Sequence, residues 1–348
     1  MAYSLQEILK KFSIDVEISP YGDGHINDTY LAQSTPRYIL QRINTDVFRR
    51  PDQVMENVAA VTEHMRKKIV EEGGDPLRET LMVVKTASGE NFLQDGKDCY
   101  RVYRFIEGAR TYNLPENPEQ MYHAAKAIGR FQKRLADFPA GKLYETIPQF
   151  HDTPNRVEQL KQAISQNRAG RLDSVQQEVA FALEMSRYAS LIVDAMNAGE
   201  VPLRVTHNDT KLNNIMLDEK TGEGVCVIDL DTVMPGSLLY DYGDALRFGA
   251  SSGAEDERDL SKIYFEMPVY EAFTKGFLEE TESTMTPREK ELLPWSIVLM
   301  TYECGIRFLA DDLNGDVYLK VHRDRQNLDR ARTQFKLVQD QMKKLNLK

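Results

Sequence analysis

Residues 205–217 read VTHNDTKLNNIML, and residues 225–232 read VCVIDLDT. The first stretch sets a histidine, an aspartate and a run of asparagine between apolar flanks, and the second ends a β-branched run in a carboxylate. A freely solvated loop gives no reason for such framing. Read outward, each stretch is a short strand entering a loop, with DEKTGEG at 218–224 as the hairpin turn between them. His207, Asp209 and Asn214 fall in the pattern H-x-D-x-x-x-x-N. In that pattern the aspartate receives the proton of an attacking hydroxyl and the asparagine binds a metal ion, the two tasks phosphoryl transfer asks of a protein. Asp229 stands at the rigid end of a strand, where a carboxylate can reach a Mg²⁺ bridging phosphates. Asp231 could assist it or accept backbone N–H groups on the turn. His207 is read as a buried hydrogen-bonder. A metal-dependent hydrolase using His207 and Asp209 as ligands is the competing chemistry, but no further cluster of His or Asp offers a full ligand set.

The 348 residues are 41% hydrophobic and 28% charged, which suits a globular chain with room for two compact units. A net charge of -10 argues against a sequence-independent nucleic-acid binder, whose affinity rests on Lys and Arg neutralising phosphates. A small-molecule partner and a monomer or weak dimer are expected instead. Cys99, Cys226 and Cys304 are scattered in apolar surroundings and read as reduced core thiols. MAYSLQEILKKFSIDV carries no continuous apolar run, and no window reaches the roughly 18 apolar residues of a membrane span, so a cytoplasmic chain without membrane attachment is expected.

Ser4 and Glu7 stand in capping-box spacing ahead of a short helix. IDVEIS, TYLAQS and RYILQRI then alternate apolar with polar residues, as an antiparallel meander does. A helix is expected over DQVMENVAAVTEHMRKKIVEE, with Val54, Val58, Val61, Met65 and Ile69 on one stripe. TLMVVKTASGENFLQ reads as a hairpin about Ser88 and Gly89, and DCYRVYRFIEG as a returning strand. After Gly108 the pattern turns helical. Asn117, Pro118 and Gln120 open one helix, 173–199 read as a second, and 286–313 as a third, broken at Pro294. The division expected is 1–108 for a sheet-rich N-lobe and 109–348 for a helical C-lobe. In YGDGHINDTYL, Gly22 and Gly24 mark a turn whose backbone N–H groups can approach phosphate, with Asn27 where a third glycine could stand.

Taken together, YGDGHINDTYL, ILQRIN, RFIEG, HNDTKLNN, CVIDLDTVMPG, YDYGDALRFGA and YECGIRFLADDLNGD resemble the aminoglycoside phosphotransferase and choline kinase branch of the protein-kinase-like fold, in order and over nearly the whole chain. Within that branch they are most similar to the N-acetylhexosamine 1-kinases. The resemblance implies an α+β, two-lobed fold with a small antiparallel sheet and a larger helical lobe. It implies ATP as donor, Mg²⁺ as cofactor and the anomeric hydroxyl of a free N-acetylhexosamine as acceptor. On this chain it implies Asp209 as catalytic base, Asn214 and Asp229 as metal ligands, and His25, Asp209 and Arg307 at the sugar. Gly22, Gly24, Asn27 and Arg42 would hold phosphates, Arg42 pairing with Glu56 or Glu63. Backbone groups from Arg104 to Ile106 would meet adenine. Arg307 lies in an apolar helical stretch and needs a partner, either a ligand oxygen or an acid such as Asp244. Asp244 itself is expected to accept hydrogen bonds from the catalytic loop. Another acceptor, such as an amino alcohol, homoserine or an aminoglycoside, and a non-catalytic nucleotide-binding protein are the rival readings.

Overall fold

Side-chain alternation decides which residues of the N-terminal half can face the rest of the molecule. A computed structural model describes residues 3–22 and 26–348. The N-lobe runs α1 (Leu5–Lys11), β1 (Ile18–Pro20), β2 (Asp28–Ala32), β3 (Tyr38–Ile43), α2 (Pro51–Glu71), β4 (Val83–Val84), β5 (Leu93–Asp95) and β6 (Asp98–Arg104). These strands form one antiparallel sheet in the order β1-β2-β3-β6-β4, with β5 also paired to β6. The Ser4 hydroxyl and the Glu7 carboxylate form the reciprocal capping box of α1. One face of the sheet buries Leu40, Tyr100 and Val102 against Ile8, Leu9 and Phe12 of α1 and its cap. The opposite face packs Ile43 and Cys99 against the stripe Val54, Val58, Val61, Met65 and Ile69 of α2, in a core that continues into the C-lobe.

The C-lobe holds β7 (Ala109–Arg110), α3 (Pro118–Arg134), α4 (Thr153–Gln166), α5 (Gln176–Met185), α6 (Leu191–Asn197), β8 (Arg204–Thr206), β9 (Ile215–Asp218), β10 (Gly224–Val227), β11 (Met234–Gly236), α7 (Leu238–Gly249), α8 (Met267–Thr281), α9 (Pro287–Asn314) and α10 (Gln326–Lys344). β9 and β10 form the expected hairpin with β7 on its edge, and β8 pairs with β11. Helix α9 is the axis of the lobe, and its most apolar window is 78% buried. Against the expectation from sequence, that window is by length and composition long and apolar enough to cross a bilayer, and in the fold it is mostly buried, as in a core helix.

Three expectations about elements are corrected. β4 and β5 pair with β6 rather than with each other, so the turn that Thr86 closes by donating to Glu90 O (2.8 Å) joins two neighbours of a common strand. The segment 173–199 is broken, α5 and α6 being separated by a 3₁₀ turn at Ser186–Tyr188. Pro294 does not break α9, which is continuous from Pro287 to Asn314. The hydrogen bond Pro294 cannot make would have ended on Lys290, an exposed residue whose carbonyl water can satisfy. The N-terminus of α9 is fixed by a capping box between Thr286 and Glu289.

Candidate active site

The loop between β8 and β9 is held from below by carboxylates of α7. Asp241 accepts from the amides of His207 (3.0 Å) and Asn208 (2.8 Å) and from Gln132 Nε2 (2.5 Å). Asp244, one turn on, accepts from the amide of Thr210 (3.1 Å), as expected, and also binds Arg247 (3.0 Å). Helix α7 can sit this close to α9 because residue 243 is glycine: a Cβ there would fall 2.4 Å from Ser296 O. Burial raises the pKa of Asp241, partly offset by His207 and the amides the carboxylate accepts. Asp241 was not singled out from the sequence, although its spacing three residues before Asp244 puts both carboxylates on one helix face.

His207 is fully buried, and both ring nitrogens are occupied. Its Nδ1 accepts from the Asp209 amide (3.2 Å), which leaves Nε2 to donate to Ile228 O (2.8 Å). The ring therefore has no nitrogen to offer a metal ion, and the hydrolase reading fails on this residue. Its role is to tie the catalytic loop to the end of β10. Asn208 (φ 68°) and Thr232 add a second tie, Asn208 Nδ2 donating to Thr232 O (2.8 Å) and Thr232 Oγ1 to His207 O (2.6 Å).

These ties bring the expected chemical groups together. Asp209, Asp229 and Asp231 line one small cavity with Asn27, Ile26, Phe48 and Thr232. Asn214 Nδ2 donates to the Asp209 carbonyl (2.8 Å) and carboxylate (3.1 Å), which orients the amide so that its oxygen remains for a cation. Lys211 Nζ lies 3.0 Å from Asp209 Oδ1. Burial opposes the Lys211 charge, but Asp209 and Asp244 outweigh it, so its pKa lies above the usual lysine value. Asp229 adopts a left-handed backbone (φ 59°), which turns its carboxylate out of the strand toward Asp209.

Among the described residues no group of three or more His, Cys, Asp or Glu is arranged to hold a metal unaided. Asp229 and the Asn214 amide oxygen would hold a Mg²⁺ ion only together with water and phosphates. The Asp229 pKa is pushed up to about 6, first by burial and then by the charges of Asp231 and Asp209. A carboxylate raised in the folded state binds its proton more tightly there than when unfolded. The stability this gives the metal-free protein is present at low pH and is lost as pH rises through about 6. A divalent cation takes the proton's place only on the ionised group. The gain in melting temperature on adding Mg²⁺ is therefore expected to be small below about pH 5 and to grow through pH 6. A gain independent of pH would remove Asp229 from the metal site.

Other expected residues are placed elsewhere. Arg42 shares a face with Leu40, the α1 side of the sheet, and its guanidinium pairs with Asp28 and with Asp98 (3.6 Å) at the surface. It pairs with neither Glu56, which is exposed, nor Glu63, which meets Lys67 (3.5 Å). The cleft-side positions of the same strands are Gln41 and its cross-strand partner Arg101. Arg101 is fully buried, donates to Gln41 Oε1 from Nε (3.0 Å) and Nη2 (2.8 Å), and pairs through Nη1 with Asp231. Asp231 also accepts from Asn27 Nδ2 (2.7 Å), and Asn27 Oδ1 accepts the Asn44 amide (3.0 Å). Helix α2 presents Met55 to Arg101, so Glu56, the next residue round the helix, points away. Burial works against the Arg101 charge, but Asp231 and its neighbours more than offset it, so the pKa lies above the usual arginine value. The buried Tyr103 hydroxyl beside it has no hydrogen-bond partner among the described residues.

Gly22 has the positive φ (74°) that the turn requires, while Gly24 and His25 lie outside the described residues. In the hinge, the amides of Arg104 and Phe105 already donate to Met82 O and Arg37 O (both 3.0 Å). Among the described residues the Ile106 amide makes no hydrogen bond and is the hinge donor left for a ligand. Arg307 does not pair with Asp244, whose charge is matched by Arg247. It stands 5.7 Å over the ring of Phe150, with no ion pair among the described residues.

Residues 17–273, well over half of the chain, match the APH phosphotransferase enzyme family. The chain belongs to that family. Solved phosphotransferases and kinases share its fold at low identity. A spectinomycin phosphotransferase in complex with ADP and spectinomycin is 14% identical, with a TM-score of 0.60 over 100% of this chain and 99% of that one. A microcompartment-associated aminopropanol kinase is 16% identical, with a TM-score of 0.63 over 99% and 98%. Amicoumacin kinase in complex with AMP-PNP, Ca²⁺ and amicoumacin is 14% identical, with a TM-score of 0.58 over 96% and 93%. The two-lobed, kinase-like α+β architecture is thus that of the APH phosphotransferases.

Proposed function

We propose that the chain is an ATP- and Mg²⁺-dependent small-molecule kinase that phosphorylates the anomeric C1 hydroxyl of N-acetylglucosamine or N-acetylgalactosamine. The observation that carries the kinase reading is the shared cavity of Asp209 and Asp229, with Asn214 bound to Asp209 through its Nδ2. Asp209 orients the acceptor hydroxyl and takes its proton. Asn214 and Asp229 would hold Mg²⁺, which supplies positive charge to the transferring phosphoryl group. The amides about Gly22 would approach the phosphates, and the Ile106 amide would meet adenine. Reliance on ATP makes the cytoplasm the expected location.

The sugar assignment rests on the motif resemblance, including His25, and on Arg307, a guanidinium over Phe150 with no ion pair among the described residues. Structural neighbours named for aminopropanol and spectinomycin support the other reading, an amino alcohol or aminoglycoside acceptor. The test is a parallel assay with ATP and Mg²⁺ on N-acetylglucosamine, N-acetylgalactosamine, glucose, galactose, choline, homoserine and kanamycin, with the product read by phosphorus NMR. An anomeric phosphate on an N-acetylhexosamine is expected. Product from an amine alone would sink the sugar assignment and keep the kinase, and Mg²⁺-dependent nucleotide binding without product would favour a binding protein.

A further inference from the structure

Each oxygen of Asp231 meets a donor from the N-lobe. Oδ1 pairs with Nη1 of Arg101 on β6, and Oδ2 accepts from Asn27 Nδ2 (2.7 Å). Asn27 precedes β2 and lies inside the connection from β1, which Tyr21 closes by donating its amide to Thr29 O (2.9 Å). Within that connection Gly22 turns the chain with its positive φ, and Gly22, Ile26 and Asn27 make no backbone-to-backbone hydrogen bond among the described residues. The buried Asn27 side chain supplies the hold instead. Its Oδ1 accepts the amide of Asn44, just beyond β3 (3.0 Å), and its Nδ2 reaches across to the turn of Asp229 to Thr232 in the other lobe.

An amide donating to a carboxylate makes a charge-assisted bond, stronger than one between neutral groups, and burial leaves little water to compete for it. Asn27 and Ile26 line the same small cavity as Asp209 and Asp229. A nucleotide whose phosphates approach the Gly22 turn while its metal ion rests on Asp229 is therefore gripped by two elements, one from each lobe. Where their spacing is fixed in advance, the second contact costs little once the first is made. Where it is not, each contact has its own ordering entropy to overcome. Arg101 fixes Asp231 to the sheet from β6, whereas Asn27 belongs to the phosphate-side turn itself and so sets the distance between the two elements.

We infer that Asn27 is a positioning residue that couples nucleotide binding to Mg²⁺ binding, its side chain holding the phosphate-side turn at a set distance from the Asp229 carboxylate. The inference rests on the reading of the Gly22 turn as the phosphate contact and of Asp229 as a metal ligand. It changes the part expected of Asn27, whose amide is spent on Asn44 and Asp231 and acts on the phosphates only through the turn it fixes. Because the coupling is reciprocal, the tie that lets Mg²⁺ tighten ATP lets ATP tighten Mg²⁺ by the same factor.

The test is titration calorimetry of ATP in EDTA and in saturating Mg²⁺, which gives the factor by which the metal tightens the nucleotide. It is run on the wild type, Asn27→Ala, Asp231→Asn and the exchange variant Asn27→Asp/Asp231→Asn, with a melting curve for each. Asn27→Ala is expected to cut the factor at least about tenfold, the worth of a hydrogen bond to a charged group, with the metal-free affinity near that of the wild type. The exchange reverses donor and acceptor and keeps the number of carboxylates. It should recover most of the factor lost in Asp231→Asn, and decides the matter if the alanine variant does not fold. An unchanged factor in folded Asn27→Ala overturns the inference while leaving the kinase reading standing. So does an equal fall of the metal-free and metal-bound affinities, which is what a merely structural residue would give, and so does an exchange variant no better than Asp231→Asn. A wild type whose ATP affinity does not respond to Mg²⁺ overturns the inference together with the metal site on which it rests.

Discussion

Asp209→Asn is expected to lower turnover by at least about a hundredfold, the usual cost of a lost acid-base group, with nucleotide affinity nearly unchanged. The substitution keeps the shape of the side chain. An asparagine oxygen can still accept from Asn214 Nδ2, now at 3.1 Å, so the loop should keep its conformation. What it loses is the negative charge that orients and accepts a proton from the acceptor hydroxyl. Lys211, 3.0 Å from the present carboxylate, keeps Asp244 as its second acidic neighbour and need not leave the site. Because the loop is held by amides bound to Asp241 and Asp244, and not by the Asp209 side chain, the variant should melt close to the wild type. Steady-state kinetics with titration calorimetry of ATP and Mg²⁺ separate the two quantities. Wild-type turnover would remove Asp209 from the mechanism, and lost nucleotide binding would make it part of the metal site.

The site was legible in the sequence where its parts are close along the chain. His207, Asp209 and Asn214 lie within one loop, Asp229 follows one hairpin later, and spacing alone sets them side by side. The apolar stripe of α2 was legible for the same reason, since a helical period is local. Arg42 was misplaced because one residue of strand register exchanges the faces of a sheet. The composition of YILQRI does not say whether Gln41 or Arg42 faces the cleft; the packing of Leu40 against α1 decides it. Likewise Val83 and Leu93 carry no mark that each will pair with β6 instead of with the other. Pro294 was overread, since its missing donor matters only where the carbonyl it would have met is buried. Arg101 left one signal: a charge inside the alternating run DCYRVYR, on the face shared with Cys99 and Tyr103, demands a partner. That the partner is Asp231, 130 residues away, could not be read locally.

The second large effect concerns that pair. Arg101→Met and Asp231→Asn are each expected to cost about 3–5 kcal/mol of folding stability, because each strands a charge or its hydrogen-bonding partners in the interior. The ion pair is almost wholly buried, with side-chain exposures of 1% and 3%. Arg101 belongs to the N-lobe sheet and Asp231 to the turn that carries Asp229, and Asn27 and Gln41 complete the network. The double substitution should recover part of the loss, since removing both charges avoids burying either alone. Activity should not recover with it. Asp229 is two residues from Asp231, and a turn no longer anchored to β6 loses the position of its metal ligand even when the fold is regained. Arg42→Met is the control: its pairs with Asp28 and Asp98 are surface ones, worth about 0–1 kcal/mol. Denaturant unfolding of the four variants gives the coupling energy, and kinetics in saturating Mg²⁺ give the positioning effect. A loss below about 1 kcal/mol in both single variants would mean that water reaches the pair and that the lobes are not joined there. A stable double variant with full turnover would instead leave Asp229 positioned by the His207 and Thr232 ties alone, and the arginine would be a structural residue with no part in the chemistry.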